Sequence, residues 1–408
     1  MTRGDVEGET RMVEVTTDAP ATRTNVGIVG CGNIAPRYVR GTGRFRELRL
    51  VGCADVDQAR AGSLAEQFSI RAWNSVDELL EDPAIAVVVN LTPPVVHKDV
   101  TLKALEAGKH VYVEKPLATD LADAAEVMAA LRPAGPRLSC APDTFLGSAA
   151  QTARAAIDRG LIGEPIGVAG FVTHSRAEMW HPDPTFLFQQ GGGPLLDLGP
   201  YWITAMINCL GPVSDVGGMT RIGATPRHVL TPNRLVEVID VEVTTHATAV
   251  LRFASGVVGT VIMSFDIWHK DLPYIEIDGT EGALRLSDPN GFDGPVRLRR
   301  NLDDEWQELE PVLPISATPG TPDQMLRGMG VADLVASIHG SPQRATPSLA
   351  FHVLEVLEAV ETSSRERRLV RLKSTCERPA PVRPGDLPMA PLDAEEPTNL
   401  DGKEANNV

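Results

Sequence analysis

Residues 25–35 have the sequence NVGIVGCGNIA, and this stretch decides the expected fold. Its first five residues are mostly apolar and β-branched, which is typical of a short buried strand. Gly30 and Gly32 follow at once, and the residues from Ala35 onward have the apolar spacing of a helix. The stretch therefore predicts a strand, a tight glycine turn and a helix, in that order.

The glycine turn matches the G-x-G-x-x-G/A pattern of dinucleotide-binding turns. In that pattern the first glycine makes the turn, the second lets backbone approach a pyrophosphate, and the third small residue lets the helix pack on the strand. The phosphates would lie at the helix N-terminus, where backbone N–H groups point towards an anion. We therefore expect dinucleotide contacts from Gly30, Gly32, Asn33, Ile34 and Ala35.

A second apolar run, Leu48 to Ala54, ends at Asp55. A carboxylate at the end of this strand can accept hydrogen bonds from both hydroxyls of an adenosine ribose. The same carboxylate would repel a 2′-phosphate, so the sequence favours NAD as the cofactor, with NADP as the alternative. A purely structural alternative for Asp55 is a helix cap before Val56.

Strands and helices go on alternating up to Cys140, which predicts a Rossmann domain over residues 24–142, an α/β fold with a doubly wound parallel sheet. Two of its later strands end in chemically distinctive residues, Thr92-Pro93 and Glu114-Lys115-Pro116. Ligands bind at the carboxyl ends of parallel strands, so these residues should line one crevice. Further cofactor contacts are expected from Thr92, Pro93, His97, Glu114 and Lys115, with His97 holding cofactor-side backbone rather than transferring protons.

After Cys140 the apolar pattern changes to period two, notably in Val241–Phe253 and Gly259–Trp268. This alternation is typical of an antiparallel sheet with one face on a core. We expect an α+β domain over residues 143–374, with helices near 149–159, 322–339 and 348–363. Residues 1–23 predict a disordered leader, and residues 375–408 predict a disordered, proline-rich acidic tail.

The composition excludes several classes of function. A net charge of −16 argues against a nucleic-acid partner, because such proteins need clustered Lys and Arg. No apolar stretch reaches the roughly 18 residues of a membrane span, which argues against a membrane protein. The five cysteines lack metal-ligand spacing and predict free thiols in a reducing compartment, and hence a cytoplasmic protein that binds no metal.

These motifs, in this order, resemble the Gfo/Idh/MocA family of glucose–fructose oxidoreductase and inositol dehydrogenase. The resemblance rests on the glycine turn, Asp55, Thr92-Pro93 with His97, Glu114-Lys115-Pro116, and GGGPLLDLGPY at 191–201. It implies an NAD(P)-dependent oxidoreductase that moves a hydride between nicotinamide and a secondary alcohol or ketone of a sugar, polyol or glycoside. It also implies a large open sheet in the second domain, through which the chain forms a homodimer or homotetramer.

One departure from the family pattern concerns the catalytic group. Members with a D-x-G-x-H pattern place histidine four residues after the aspartate, whereas this chain has Tyr201 at that distance from Asp197. Some relatives, those similar to dihydrodiol and xylose dehydrogenases, use tyrosine there. A phenol is a poor base unless a cation is close, and Lys115 is the expected cation.

We therefore expect Tyr201 to exchange a proton with substrate and Lys115 to polarise the shared oxygen. Asp197 would bind a substrate hydroxyl or position Lys115. The alternative for Tyr201 is a packed aromatic on helix 200–210. That helix begins either at Pro194 with a kink or at Pro200 as a first-turn proline.

Four further residues are candidates for substrate binding. Trp180 and His181 offer an aromatic and titratable surface for a sugar, although His181 fits a solvated loop residue equally well. Asp143 follows the last strand of the first domain and is either a substrate contact or a turn cap. The predicted set is Asp143, Arg176, Trp180 and His181.

Two rival functions fit the same motifs. One is a redox-neutral epimerase or eliminating glycosidase that oxidises a sugar carbon transiently and returns the hydride. The other is a non-enzymatic, nucleotide-binding regulator, which would have no need of Lys115, Asp197 and Tyr201 together.

Overall fold

The computed structural model describes residues 23–173, 176–268, 271–301, 304–313 and 327–387. The predicted leader, except for Arg23, and the end of the predicted tail lie outside these ranges. The described residues form a parallel sheet followed by a large mixed sheet, each covered by helices.

The first sheet has six parallel strands in the order β3-β2-β1-β4-β5-β6, which confirms the predicted Rossmann topology. Its strands are β1 Thr24–Val29, β2 Leu48–Ala54, β3 Arg71–Ala72, β4 Val87–Asn90, β5 His110–Val113 and β6 Leu138–Cys140. Its helices are α1 Ala35–Thr42, α2 Gln58–Phe68, α3 Val76–Glu81, α4 His97–Glu106 and α5 Leu121–Ala130. The strand order reverses between β1 and β4, and ligand crevices form at such switch points.

The second domain is built on nine strands, of which β7 and β12 run parallel and the other pairs antiparallel. In chain order its first elements are α6 Ser148–Asp158, β7 Pro165–Thr173, α7 Gly193–Asp197, α8 Gly199–Leu210, β8 Val213–Arg221, β9 Arg227–His228 and β10 Val238–Ile239. The next are β11 His246–Phe253, β12 Val258–Ser264, β13 Ile275–Gly279, β14 Gly282–Leu286, β15 Arg297–Arg299 and β16 Gln307–Glu308. The last are α9 Met329–Ile338, α10 Pro347–Glu366 and β17 Val370–Arg371.

The sheet order is β16-β15-β14-β13-β7-β12-β11-β8-β17, with β9 and β10 forming a separate hairpin. Along β11 the buried residues alternate with exposed ones, as period two predicts. Helices α8 and α10 pack on the buried face. Gly170 and Gly218 lie there, where a Cβ would come within 2.3 Å of Met206 and 2.8 Å of Val360. The small residues therefore let both helices approach the sheet closely.

The strand predicted over 241–253 starts only at His246. Just before it, the Thr245 hydroxyl donates to Asp266 and accepts from the Gly223 amide. The Thr245 main chain still bonds to Arg221 and Phe265, next to the neighbouring strands. The described part of the helix predicted near 322–339 begins at Met329. The five cysteines are free thiols, and four of them are buried, as predicted.

The prediction that disorder begins at Thr375 is wrong for residues 375–387. Cys376 and Val382 are buried, and the Val382 amide donates to Gln151 Oε1 at 2.8 Å. Arg154 and Arg344 donate to main-chain carbonyls of the same segment. Composition suggested disorder, but long-range partners supply the hydrogen bonds that a proline-rich segment cannot make within itself.

Candidate active site

A cleft of about 670 Å³ lies between the two domains, at the carboxyl ends of β1, β4 and β5. This volume is within the usual range for ligand pockets, about 300–1,000 Å³. Most residues predicted from the strand ends line it, and they meet residues of α7 and α8 across the gap. The predicted residues that line it are Asn33, Ile34, Thr92, Pro93, His97, Glu114, Lys115, Trp180, Asp197 and Tyr201.

The Asp55 carboxylate stabilises the glycine turn. Its Oδ2 accepts from the Cys31 amide at 2.7 Å and its Oδ1 from the Asp57 amide at 2.8 Å. Asp57, not Asp55, caps helix α2, because the Asp57 side chain accepts from the first amides of that helix. A Cβ at Gly32 would meet no described atom within 4 Å, which leaves free space beside the turn.

Replacing Gly30 with alanine should destabilise this turn. Gly30 has φ +98°, and a Cβ would lie 2.7 Å from the Leu91 carbonyl carbon and oxygen. Left-handed strain and the backbone clash together should lower the free energy of unfolding by about 1–3 kcal/mol or more and weaken NADH binding. Thermal unfolding and NADH fluorescence titration measure both effects.

Gly62→Ala is the matched control, because this exposed helical glycine has no described atom within 4 Å of its Cβ position. We expect it to be neutral or slightly stabilising. If both variants unfold at the same temperature, the steric argument at Gly30 fails.

His97 ties the two strand-end loops together. One ring nitrogen lies 2.7 Å from the Pro116 carbonyl oxygen and the other 2.8 Å from that of Thr92. The ring is buried, and burial lowers its pKa despite these contacts. His97 thus holds backbone on the cofactor side of the cleft, consistent with the structural role proposed for it.

Glu114 lines the cleft, and its carboxylate is held by two hydrogen bonds. It accepts from the Tyr38 hydroxyl at 2.7 Å and from the Lys115 amide at 2.9 Å. Each carboxylate oxygen accepts one of these bonds and keeps a second lone pair. The bond from the Lys115 amide fixes the start of the Lys115-Pro116 turn, and the Lys115–Pro116 peptide bond is cis.

Lys115 reaches across the domain boundary to Asp197. Its Nζ donates to the Asp197 carboxylate at 2.9 Å and to the Asp197 main-chain carbonyl at 2.5 Å. Burial lowers the pKa of the ammonium, but its acidic neighbours, Asp197 first, outweigh burial and raise the pKa above its ordinary value. Lys115 is therefore a fixed cation at neutral pH.

A helix break sets this geometry. Helix α7 ends at Asp197, Leu198 departs from ideal helical geometry at φ −108°, and α8 begins at Gly199. The Tyr201 amide donates to the Leu198 carbonyl at 3.0 Å, which leaves the Asp197 carbonyl free for Lys115. The sequence left open a start at Pro194 or at Pro200; the structure has two helices, which begin one residue earlier, at Gly193 and Gly199.

Tyr201 is a buried cleft residue rather than only a packed aromatic. Its ring centroid lies 5.2 Å from Lys115 Nζ, and its hydroxyl is 3.5 Å from Arg327 Nη2. Burial raises the pKa of the phenol, and the nearby charges of Arg327 and Lys115 lower it without cancelling the rise. The hydroxyl is therefore protonated at neutral pH.

Arg327 and Asn290 belong to the site although the sequence did not suggest them. Arg327 is buried, lines the cleft and donates from Nη2 to Asn290 Oδ1 at 3.0 Å. Arg327 is 126 residues from Tyr201 in sequence, so no local spacing links them. A Cβ at Gly330 would lie 2.3 Å from the Tyr112 ring, so the turn after Arg327 packs closely against β5.

Asp143 does not line the cleft, contrary to its prediction as a substrate contact. It is fully buried, and its Oδ2 accepts from the Gly328 amide at 3.2 Å and the Gly330 amide at 2.9 Å. Its Oδ1 lies 3.7 Å from Arg327 Nη1. Asp143 therefore holds the turn that carries Arg327, which is closer to the alternative of a cap.

Of the other three substrate candidates, only Trp180 lines the cleft. The His181 ring packs edge-on between the rings of Trp180 and Phe186, with centroid distances of 5.5 Å and 5.4 Å. His181 therefore supports two cleft residues without lining the cleft itself. Arg176 pairs with Glu178 and stacks on Trp268, so it also lies outside the cleft lining.

Among the described residues, no group of three or more His, Cys, Asp or Glu could hold a metal ion. Nor does any helix in the described part of the chain have the length and apolar character needed to span a membrane.

Comparison with known proteins identifies both domains. Residues 24–141 match the family model described as "Oxidoreductase family, NAD-binding Rossmann fold", and residues 150–285 match "GFO/IDH/MocA C-terminal domain". Together these matches span more than half of the 408 residues.

Individual proteins show the same relationship. The chain is 30% identical over 317 residues to trans-1,2-dihydrobenzene-1,2-diol dehydrogenase from Bos taurus, covering 75% of this chain and 84% of that protein. It is 34% identical over 178 residues to 1,5-anhydro-D-fructose reductase from Ensifer adhaerens, covering 42% of this chain and about half, 52%, of that one. A crystal structure of an NAD-binding oxidoreductase from Klebsiella pneumoniae superposes with a TM-score of 0.72 at 26% identity, covering 86% of this chain and 98% of that one. The chain belongs to the GFO/IDH/MocA oxidoreductase family, with its NAD-binding Rossmann domain followed by the family's C-terminal domain.

Proposed function

We propose that the protein is an NAD-dependent oxidoreductase that interconverts a secondary alcohol and a ketone on a sugar, polyol or related cyclic compound. The observation that carries this proposal is the set Lys115, Asp197 and Tyr201, assembled at the carboxyl end of β5 beside the glycine turn. A nucleotide-binding regulator would not need a largely buried lysine beside a buried phenol.

The residues of the first domain fit NAD. The space beside Gly32 would accept a pyrophosphate near the N-terminus of α1, where the backbone N–H groups favour an anion. Asp55 uses one lone pair of each carboxylate oxygen on the Cys31 and Asp57 amides, so each oxygen retains a lone pair for a ribose hydroxyl. This carboxylate supports a preference for NAD over NADP.

Asp55→Asn should therefore raise the affinity for NADPH relative to NADH. Removing the negative charge removes its repulsion of a 2′-phosphate, and we expect the ratio of the two Kd values to move by about tenfold or more. Fluorescence titration with both nucleotides measures it.

Asp57→Asn is the matched control, because asparagine caps helices as well as aspartate does and the side chain is half exposed. Its Kd ratio should stay that of the unaltered protein. Equal affinity of the unaltered protein for NADH and NADPH would contradict the preference.

Each residue of the site has a separate role in the proposed reaction. The bound nicotinamide would supply the hydride acceptor for oxidation and the donor for reduction. Tyr201 exchanges the hydroxyl proton with the substrate oxygen, while Lys115 stabilises negative charge on that oxygen. Asp197 holds Lys115 in place. Because Tyr201 is protonated at neutral pH, it is ready to act as the acid of a reduction.

The substrate class is supported by the cleft and by the relatives. Trp180 and Phe186 offer apolar faces on which a ring can pack, while Asn290 and Gln189 offer hydrogen bonds. The two relatives described above are named for a sugar derivative and a cyclic diol. Both of these compounds contain a ring that carries adjacent oxygens. We propose a substrate of this kind.

A screen of sugars, polyols and cyclic diols tests the proposal. Oxidation is read as NAD(P)H formation and reduction as NADH loss with the matching ketones. Steady NADH formation that depends on substrate and disappears in Tyr201→Phe supports the oxidoreductase. Product formation without any net change in NADH would favour the redox-neutral enzyme, and nucleotide binding without any turnover would favour the regulator.

We also propose that the chain is a cytoplasmic homodimer or homotetramer that associates through the open sheet. The face away from α8 and α10 exposes Met219, Val250 and Val258, of which Met219 is 79% exposed. A row of exposed apolar side chains on a sheet is typical of an interaction surface. Light scattering on the purified protein gives the mass of the assembly.

A further inference from the structure

Two cations flank the Tyr201 ring, and they stand in different relations to its hydroxyl. Lys115 Nζ lies 5.2 Å from the ring centroid, and its hydrogen bonds go to Asp197. Arg327 Cζ lies 5.6 Å from the same centroid, but Arg327 Nη2 comes within 3.5 Å of the hydroxyl oxygen. Arg327 is therefore the cation that contacts the atom from which the proton leaves.

Arg327 is fixed from several sides. Nη2 donates to Asn290 Oδ1, the guanidinium stands 5.6 Å from the Phe292 ring centroid, and Nη1 lies 3.7 Å from Asp143 Oδ1. Nη1 has no hydrogen-bond partner among the described residues. A cation this well held keeps its position when the proton on the hydroxyl moves.

The backbone around Arg327 is equally constrained. Asp143 accepts from the amides of Gly328 and Gly330, which fixes the turn just beyond Arg327. On the other side, a Cβ at Gly41 would lie 1.7 Å from the Arg327 carbonyl oxygen, so helix α1 packs directly on this backbone. The side-chain charge is thus tied into the core of both domains.

We propose that Arg327 is a positioning residue that controls the proton on the Tyr201 hydroxyl, leaving Lys115 to act on the substrate oxygen. This inference rests on the proposed function, because it assigns to Tyr201 the proton exchanged with substrate. The sequence suggested that Lys115 alone both favours ionisation of the phenol and polarises the substrate oxygen. The inference assigns the first role to Arg327 and the second to Lys115.

The charges that face Tyr201 give the sign of the effect. Arg327 and Lys115 favour the phenolate and lower the pKa, while Glu114 and Asp197 oppose it, all on top of burial, which raises the pKa most. In the oxidation direction the phenolate accepts the substrate proton, so the rate rises with pH until the phenol has ionised. Loss of the Arg327 charge must move that rise to higher pH.

The experiment compares Arg327→Met with Arg327→Lys. In Arg327→Met we expect the rise of kcat with pH to move up by about one to three pH units, the usual effect of one close opposite charge. In Arg327→Lys the charge is kept and the rise should stay close to that of the unaltered protein. Arg365→Met is the control for an exposed arginine, 69% exposed on α10, and should change nothing.

A second measurement needs no substrate. The ultraviolet absorbance of tyrosinate is followed with pH, and the titration of Tyr201→Phe is subtracted to isolate Tyr201 among the chain's four tyrosines. The Tyr201 transition should shift upward in Arg327→Met, and circular dichroism at each pH shows that the variant is folded.

The outcomes separate this inference from the proposed function. If Tyr201→Phe loses turnover but Arg327→Met keeps both the original pH rise and the original Tyr201 titration, Arg327 does not control the proton and the inference is wrong. If Tyr201→Phe stays active, the proposed chemistry fails, whereas the titration still decides whether Arg327 governs the Tyr201 proton. Equal loss of activity in the Met and Lys variants without a pH shift would also overturn the inference, since it indicates a structural role.

Discussion

Replacing Lys115 with methionine should lower kcat by about 10³-fold while NADH binding is largely retained. The Lys115 side chain is 14% exposed and lines the cleft, so its ammonium is placed to stabilise charge on the substrate oxygen. Removing one preorganised charge from such a site costs about 10²–10³ in rate, and losing support for proton transfer adds to that. Methionine fills much of the same volume, which limits packing losses. Steady-state rates on the substrate found in the screen, together with NADH titration, measure both quantities.

Lys103→Met is the matched control. Lys103 lies on α4, is 61% exposed and pairs with the exposed Asp77 at 3.4 Å. Surface pairs of this kind contribute little to stability, so kcat and the melting temperature should stay unchanged. A Lys115→Met variant that turned over at a rate near that of the unaltered protein would remove Lys115 from the mechanism.

The second large effect is expected at Tyr201. Tyr201→Phe removes one oxygen and leaves the ring in place, so the 6% exposed side chain keeps its packing. The hydroxyl's closest described partner is Arg327 at 3.5 Å, and its loss should cost little stability. Turnover should fall by about 10²–10⁴-fold, the usual worth of a general acid or base. A drop in kcat without a change in melting temperature or NADH affinity would identify a chemical role.

Tyr112→Phe is the matched control for a buried phenol. The Tyr112 hydroxyl is buried without a hydrogen-bond partner among the described residues, so its removal should leave both activity and stability close to the original values. Similar activity losses in the two variants would indicate general damage to the fold. Normal activity in Tyr201→Phe would end the assignment of Tyr201 as the proton-exchanging group.

The cofactor side of the site follows from local sequence. The glycine turn, Asp55 and the Glu114-Lys115-Pro116 strand end can be placed together because parallel strands end at one edge of their sheet. Placing these residues together needs only the succession of strands and helices, which the sequence pattern reveals. The Lys115–Asp197 contact across the cleft is harder, and it was reached through the family resemblance rather than through geometry.

The residues on the substrate side of the cleft are harder to predict from the sequence, because they come from distant parts of the chain. Arg327 follows the predicted second-domain sheet in sequence, yet it meets Tyr201 and Asn290 in space. The sequence favours a cleft position for Asp143 because it follows the last strand of the first domain, and for His181 because it stands beside Trp180. Both instead support residues that line it, since burial turned one toward backbone amides and the other between two aromatic rings.

The break between α7 and α8 gives Pro200 a part in the chemistry. Pro200 cannot donate to the Leu196 carbonyl, and its ring is incompatible with an undistorted helix at this point. At the break the Tyr201 amide donates to Leu198 and not to the Asp197 carbonyl. The Asp197 carbonyl oxygen instead accepts from Lys115 Nζ at 2.5 Å. One of the two acceptors that hold Lys115 is therefore main chain, and its availability depends on a residue without a polar side chain. Substitutions at Asp197 alone would underestimate how firmly the ammonium is held, because the proline supplies the second acceptor indirectly.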